Sequence, residues 1–334
     1  MVVRYRRRRV EDGVSARERV AILAIDGGGI RGIVPAMVLA EIEERTRRRV
    51  SELFDLVAGT STGGILGLGL AVAGENGGPR WRAADMVGLY EAEGPRIFSE
   101  SVLHEIASVG GVLEERYPAG PLEDALKRYL GDAPLSAALV DVLVPAYEIE
   151  RRIPFFFKRS RARSDPDYDF PMWQVARATA AAPTYFPPER IDVEPPADYF
   201  ALVDGGTFAN NPAMCAYAES RRDGADPDIV LVSLGTGDLR RPIPLADAEG
   251  WGILGWARPL LQIVFDGVSL TIDFQLEQLL GPGRYHRLQT PLDQASDDLD
   301  DASPENIHAL KLTAERLIAE RSDEIDAICA ALAG

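Results

Sequence analysis

Two apolar, β-rich runs, each ending abruptly in glycine and each followed by residues at helical spacing, limit what this chain can fold into more than any other feature. Val20 to Ile25 runs into Asp26-Gly27-Gly28-Gly29. From Ile33 to Arg49 the apolar residues then recur with a helical period, and Arg45 to Arg49 load the C-terminal turns with positive charge. Phe54 to Ala58 is a second run of the same kind, cut off by Gly59, and Thr62 to Ala73 begins a second, strongly apolar helix. Further strands are expected at Val140 to Ile149, Ala201 to Val203 and Ile229 to Leu234, the last closing on Gly235-Thr236-Gly237. Helical patterns separate them at Asp85 to Glu93, Pro121 to Leu130, Trp173 to Ala181 and Asn211 to Arg221, and Glu305 to Leu332 ends the chain as one or two amphipathic helices. This alternation predicts an α/β fold of three layers, a mostly parallel central sheet flanked by helices. No internal repeat or long linker interrupts it, so residues 20–334 are expected to form one domain behind a flexible basic arm of residues 1–19.

Composition narrows the function classes. With a net charge of −16 the chain is not expected to bind a nucleic-acid polymer, although Arg4 and Arg6 to Arg9 make a basic arm. That arm reads as a solvated tail, with contact to anionic lipid as its second reading. The acidic run of Asp297, Asp298, Asp300 and Asp301 also reads as solvated. Cys215 and Cys329 are too few for a disulfide framework and lack the Cys-x-x-Cys spacing of a zinc or redox site, which suits a reducing compartment. A secretory signal would need an apolar stretch after the arginines, where Glu11 to Arg19 is polar. Ile65 to Ala73, the longest apolar segment, falls well short of the ~20 residues that span a bilayer. A soluble, cytoplasmic protein is the expectation.

Gly59-Thr60-Ser61-Thr62-Gly63 has the form Gly-x-Ser-x-Gly, and in a chain with 31 glycines the context has to decide its meaning. A nucleophile elbow needs a strand before it and a helix after it, so that the sharp turn lifts the serine hydroxyl above the sheet; Phe54 to Ala58 and Thr62 to Ala73 supply both. The plainer reading is a glycine turn with Thr60 or Ser61 capping the helix. In Asp26 to Gly32, Gly27, Gly29 and Gly32 formally satisfy Gly-x-Gly-x-x-Gly, which makes a dinucleotide-binding module the rival reading. That module wants an acidic residue at the end of the second strand, whereas Asp55 lies at its start. The loop is therefore better read as an anion nest, an oxyanion hole serving Ser61, with the N–H groups of Gly28, Gly29 and Thr62 as donors. Arg31 either anchors a lipid phosphate or holds the loop's own carbonyls, and the second role is favoured.

Asp204-Gly205-Gly206 follows Ala201 to Val203 and puts a carboxylate at a strand end, where open α/β sheets place their sites. A turn-forming aspartate is the alternative. Of the histidines, His286 sits in Arg284-Tyr285-His286-Arg287, read as a strand edge, and His308 in a terminal helix. With His104 they are assigned ordinary surface roles, leaving serine plus carboxylate as the simplest catalytic arrangement.

Taken together and in order, Asp26 to Gly32, Gly59 to Gly63 and Asp204 to Gly206 closely resemble the three motifs of patatin-like phospholipases. Trp173 to Pro187, Asp204 to Pro212 and Ser233 to Gly237 also look like that family, so the likeness covers about residues 20 to 320. The resemblance implies a Ser61–Asp204 dyad on an α/β fold with no metal, no cofactor and no catalytic histidine. It implies a phospholipase A or lysophospholipase activity on membrane phospholipid, exerted at the inner membrane surface. Within the family the chain is read as most similar to bacterial intracellular members, some of which serve antiphage defence after activation by a cyclic oligonucleotide. A cyclic nucleotide is thus the implied activator, and assembly into a homo-oligomer stays open.

Overall fold

The computed structural model describes residues 19–99, 116–193, 199–222, 227–238 and 242–333. The arginine arm and His104 lie outside the described residues. Eight strands form one sheet: β1 (Arg19–Ile25), β2 (Leu56–Gly59), β3 (Asp141–Glu148), β4 (Ile153–Lys158), β5 (Glu189–Asp192), β6 (Tyr199–Asp204), β7 (Asp228–Leu234) and β8 (Tyr285–Leu288). The run β3-β2-β1-β7-β8 is parallel, and β4, β6 and β5 add an antiparallel wing beyond it.

The central strands are apolar without interruption because both of their faces are covered. Successive side chains of β1 go to opposite sides: Ala21, Leu23 and Ile25 join one core, Val20, Ile22 and Ala24 the other. The first core is closed by α1 (Ile33–Thr46), α2 (Thr62–Ala71), α3 (Ala83–Ile97), α4 (Ala119–Leu130) and α5 (Met172–Thr179). The second is closed by α6 (Ala213–Ser220) and α7 (Ile253–Leu280). The C-terminal amphipathic stretch is two helices, α8 (Pro304–Glu320) and α9 (Ser322–Ala333), both on the first face. Helix, sheet and helix make the three expected layers.

Some boundaries moved for local reasons. β2 starts at Leu56 rather than Phe54, because the Asp55 carboxylate turns back to accept the Ala21 N–H at 2.8 Å. Phe155 and Phe157 are buried core residues of β4. The 28-residue α7 was not expected; its inner face is thin, with Ile272 and Leu276 buried among its described side chains. Among the described residues no helix is long and apolar enough to cross a membrane.

Candidate functional site

The register of β3 explains why residues far apart in sequence meet. Leu143 pairs with both Ala58 of β2 and Lys158 of β4, while Ala146 to Glu148 pair with both β4 and β6. A strand has two edges, so β4 occupies one and β2 and β6 share the other, end to end. Val144 and Pro145 lie between the two ladders on that shared edge, and Pro145 has no N–H to leave unpaired there. β2 runs parallel to β3 and β6 antiparallel, so the last residues of both, Gly59 and Asp204, arrive at the same gap.

Ser61 turns the chain from β2 into α2 with φ 55° and ψ −122°, a strained conformation for a residue with a side chain. The turn is tight enough that a β-carbon on Gly59 would collide with the carbonyl of Gly63, and one on Gly63 with the carbonyl of Ile25. That is why both flanking positions are glycine. Thr179, the last residue of α5, pins the turn: its hydroxyl donates to the Pro145 carbonyl at 2.6 Å and accepts the Ser61 N–H at 3.0 Å. The Thr60 hydroxyl donates to the Ala209 carbonyl at 2.6 Å. Ser61 is partly exposed at the top of the sheet.

Asp204 is 6% exposed and lies within hydrogen-bonding reach of the Ser61 hydroxyl. Its Oδ1 accepts the Gly206 N–H at 2.7 Å. Burial pushes its pKa up from 3.8 to about 7, against the lowering effect of the hydrogen bonds from Gly206 and Ser61. A carboxyl group poised near neutrality beside a hydroxyl can take up that hydroxyl's proton at physiological pH.

The glycine loop closes the other side. A β-carbon on Gly27 would stand 3.3 Å from the Ser61 Cβ, so loop and elbow are in contact. The Gly27 N–H donates to the Asn210 carbonyl at 3.0 Å, and its carbonyl accepts the Thr236 hydroxyl at 2.9 Å. Gly29 has φ +58°, and a β-carbon there would strike the Leu299 carbonyl, which accepts the Ile30 N–H at 2.9 Å. Among the described residues the N–H groups of Gly28 and Gly29 donate to no protein acceptor. Thr62 opens α2 and has no intrahelical partner for its own N–H. Its hydroxyl is engaged by Tyr90 at 2.8 Å, and Gly32 packs under the same pair. Arg31 holds the loop: its Nε donates to the Gly28 carbonyl at 3.2 Å. Burial lowers its pKa, with Asp297, Asp266 and Asp238 opposing that.

A buried ion cluster, which sequence reasoning missed, supports the loop from below. Arg287 of β8 pairs with Asp26 at 2.6 Å and with Asp273 of α7 at 3.2 Å. Asp273 also accepts the Tyr285 hydroxyl at 2.5 Å and the Asn211 side-chain amide at 3.1 Å. Burial pushes Asp26 up to about 6, held down in part by Arg287. Burial works against the Arg287 charge, but Asp26 and Asp273 outweigh it and raise its pKa. The residue types in Arg284-Tyr285-His286-Arg287 carried no signal for this, because the partners lie in three other segments.

His286 is buried in β8, not on the surface as expected, with Nδ1 3.7 Å from a Glu324 oxygen. Residues of β8 alternate between the faces of the sheet, and the pairing places His286 beside α9 rather than beside Ser61. His308 is exposed on α8, as expected of a surface residue. Among the described residues no group of three or more His, Cys, Asp or Glu side chains is arranged to hold a metal ion.

Comparison with known proteins matches residues 23–217 to the family model described as patatin-like phospholipase. The chain is 30% identical to patatin-like protein 1 of Oryza sativa subsp. indica, covering 92% of this chain and 83% of that protein. It is 31% identical to the probable inactive patatin-3-Kuras 1 of Solanum tuberosum, covering 92% and 88%. Patatin-like protein 4 of Arabidopsis thaliana is 29% identical over 90% of this chain and 83% of its own length.

Proposed function

Because the chain belongs to the patatin-like phospholipase family, we propose that it is a lipid acyl hydrolase that releases fatty acids from membrane phospholipids through Ser61 and Asp204. One relative is named as inactive, so membership alone does not carry the reading. The observation that carries it is a buried, neutral-range Asp204 carboxyl in reach of the hydroxyl of a strained, partly exposed serine.

In this reading Asp204 accepts the Ser61 proton as Oγ attacks the ester carbonyl. The N–H groups of Gly28, Gly29 and Thr62 receive the negative charge that builds on the carbonyl oxygen, and their fixed positions require no reorganisation as it forms. Collapse expels the lysolipid alcohol, which takes the proton from Asp204 and leaves an acyl-serine. Water, deprotonated by the same carboxylate, then releases the fatty acid and restores both residues. Arg31 acts on the loop rather than on substrate, consistent with its bond to the Gly28 carbonyl. The rival nucleotide-binding module fits poorly, since the Asp55 carboxylate is taken up by the Ala21 N–H of β1 and the end of β2 is occupied by the elbow.

The test is to incubate the protein with mixed phospholipid vesicles and identify products by mass spectrometry. Free fatty acid is expected from the wild type and from His104→Ala, His286→Ala and His308→Ala, and none from Ser61→Ala or Asp204→Asn. A folded His286→Ala enzyme as inactive as Ser61→Ala would replace the dyad with a histidine-containing triad. Activation by a cyclic oligonucleotide, as expected of an antiphage member, is read in the same assay by adding a panel of cyclic nucleotides.

A further inference from the structure

α7 carries apolar residues on two opposite sides. Ile272 and Leu276 are buried in the second core. Trp256, Leu260, Ile263, Gly267, Leu270 and Phe274 follow one another at intervals of four and three residues and are all exposed, Phe274 to 63%. That spacing lines them up as one stripe along the side of the helix turned away from the core, and no position in the stripe is charged. A solvated helix turns a polar face to water, so an exposed apolar stripe of this length marks a surface that meets something else.

The topology sets this stripe beside the candidate catalytic centre. α7 packs on the sheet and leads into β8, which is parallel to β7 and through it to β1. The helix therefore runs against the strands and starts at their C-terminal end, where Ser61, Asp204 and the glycine loop lie. Its 28 residues rise about 42 Å at 1.5 Å each, whereas the seven residues of β7 span about 23 Å. The α7 residues that pack on the second core, Val268, Ile272, Leu276 and Leu280, belong to its second half. The first half overhangs the strand ends. There Asp266 acts on Arg31 of the glycine loop, and Trp251 and Trp256 meet edge to face at 5.2 Å. Further along, α7 packs against the helical turn Gly206–Ala209 that follows Asp204.

We propose that this stripe of α7 docks on the surface of a phospholipid bilayer and so brings the Ser61 centre to its substrate, an inference that rests on reading the chain as a phospholipid acyl hydrolase. The apolar side chains of one helix face sink into the boundary between headgroups and acyl chains. Tryptophan suits that depth, because its ring is apolar and its N–H polar. Charge decides which bilayer is preferred: with no Lys or Arg in the stripe and a net charge of −16 on the chain, the contact favours zwitterionic over anionic lipid. A second copy of this chain fits less well. A stable protein interface takes about 20–30 residues a side, the stripe offers six, and two copies of this charge repel each other.

Flotation of the full chain with vesicles of ether-linked phosphatidylcholine, which hold no ester to cleave, tests this. The wild type is expected to float, and at least as strongly as with ether-linked phosphatidylglycerol. The double variant Leu260→Ser, Phe274→Ser should lower partition by about tenfold or more, the scale of withdrawing two half-exposed apolar side chains from lipid. Both positions are exposed, so circular dichroism, hydrolysis of a soluble p-nitrophenyl ester and fluorophosphonate labelling of Ser61 should match the wild type, while fatty-acid release from ester-linked phosphatidylcholine vesicles falls with binding. A wild type that floats but cleaves no ester sinks the catalytic reading and leaves the docking standing. One that cleaves the soluble ester and does not float overturns the docking. So does flotation that the folded double variant keeps, or flotation that requires phosphatidylglycerol and is released by salt, as contact through the arginines of residues 1–19 would give. A dimer in light scattering that the double variant turns into a monomer, with no vesicle binding, assigns the stripe to a second copy and overturns it as well.

Discussion

Replacing Asp204 by asparagine should abolish hydrolysis and at the same time stabilise the protein, increasingly so as pH rises. The carboxyl is 6% exposed, and burial lifts its pKa from 3.8 to about 7. The folded chain therefore binds this proton more tightly than the unfolded chain. The stability this contributes is fully present below about pH 4 and is lost as pH rises through about 7. At about 1.36 kcal/mol for each tenfold change in proton affinity, keeping Asp204 ionised at pH 8 costs the fold about 4 kcal/mol. Asparagine is neutral throughout, can still accept the Gly206 N–H that Asp204 receives at 2.7 Å, and cannot take up a proton from Ser61. For 334 residues, 4 kcal/mol corresponds to a rise in Tm of about 6 °C at pH 8, against about 2 °C at pH 5, where the unfolded carboxyl is ionised and the folded one is not. Thermal unfolding of both proteins at the two pH values, run beside hydrolysis of a soluble p-nitrophenyl ester, measures stability and activity together. In the wild type, turnover should rise with pH up to about 7, following the ionised form of Asp204. A Tm difference that is the same at pH 5 and pH 8, or an activity profile flat across that range, would refute the claim that burial holds this carboxyl near neutrality.

Arg287→Leu should leave Asp26 and Asp273 buried without their shared cation and cost about 3–5 kcal/mol in urea denaturation, with Arg287→Lys recovering part of the loss. Gly29→Ala should lower kcat on a soluble ester by about 10²–10³ while circular dichroism stays native, because a side chain at φ +58° displaces the loop against the Leu299 carbonyl. Ser61→Gly and Ser61→Ala should both be inactive, yet the glycine variant should be the more stable by about 1 kcal/mol, since glycine adopts φ 55° without strain. Equal stabilities for these two variants would mean that the elbow stores no backbone strain.

The features that could be read from the chain alone are those whose physics is local. Strands and helices around the elbow follow from apolar period and from glycine, and the three motifs are recognisable because each must satisfy its own turn: Gly59 and Gly63 crowd the backbone, and Gly29 needs a positive φ. The two cores of β1 follow from alternation along a strand covered on both faces. What the sequence left open depends on contacts between distant segments. The junction at Val144 and Pro145, which brings Gly59 and Asp204 to one gap, exists only because β2 and β6 share an edge of β3. Thr179 gives no sign in its own segment that it links Pro145 to Ser61. Arg287 looks like part of a surface strand until the parallel pairing of β8 with β7 sets it beside Asp26, 261 residues away. His286 likewise became a buried residue once α9 covered β8. Sequence determined which residues could do chemistry, since that depends on side-chain type and turn. Tertiary structure alone decided which of them meet, and how far burial moves Asp204 and Asp26 from their ordinary pKa values, because desolvation and pairing arise only when separate segments close over the same space.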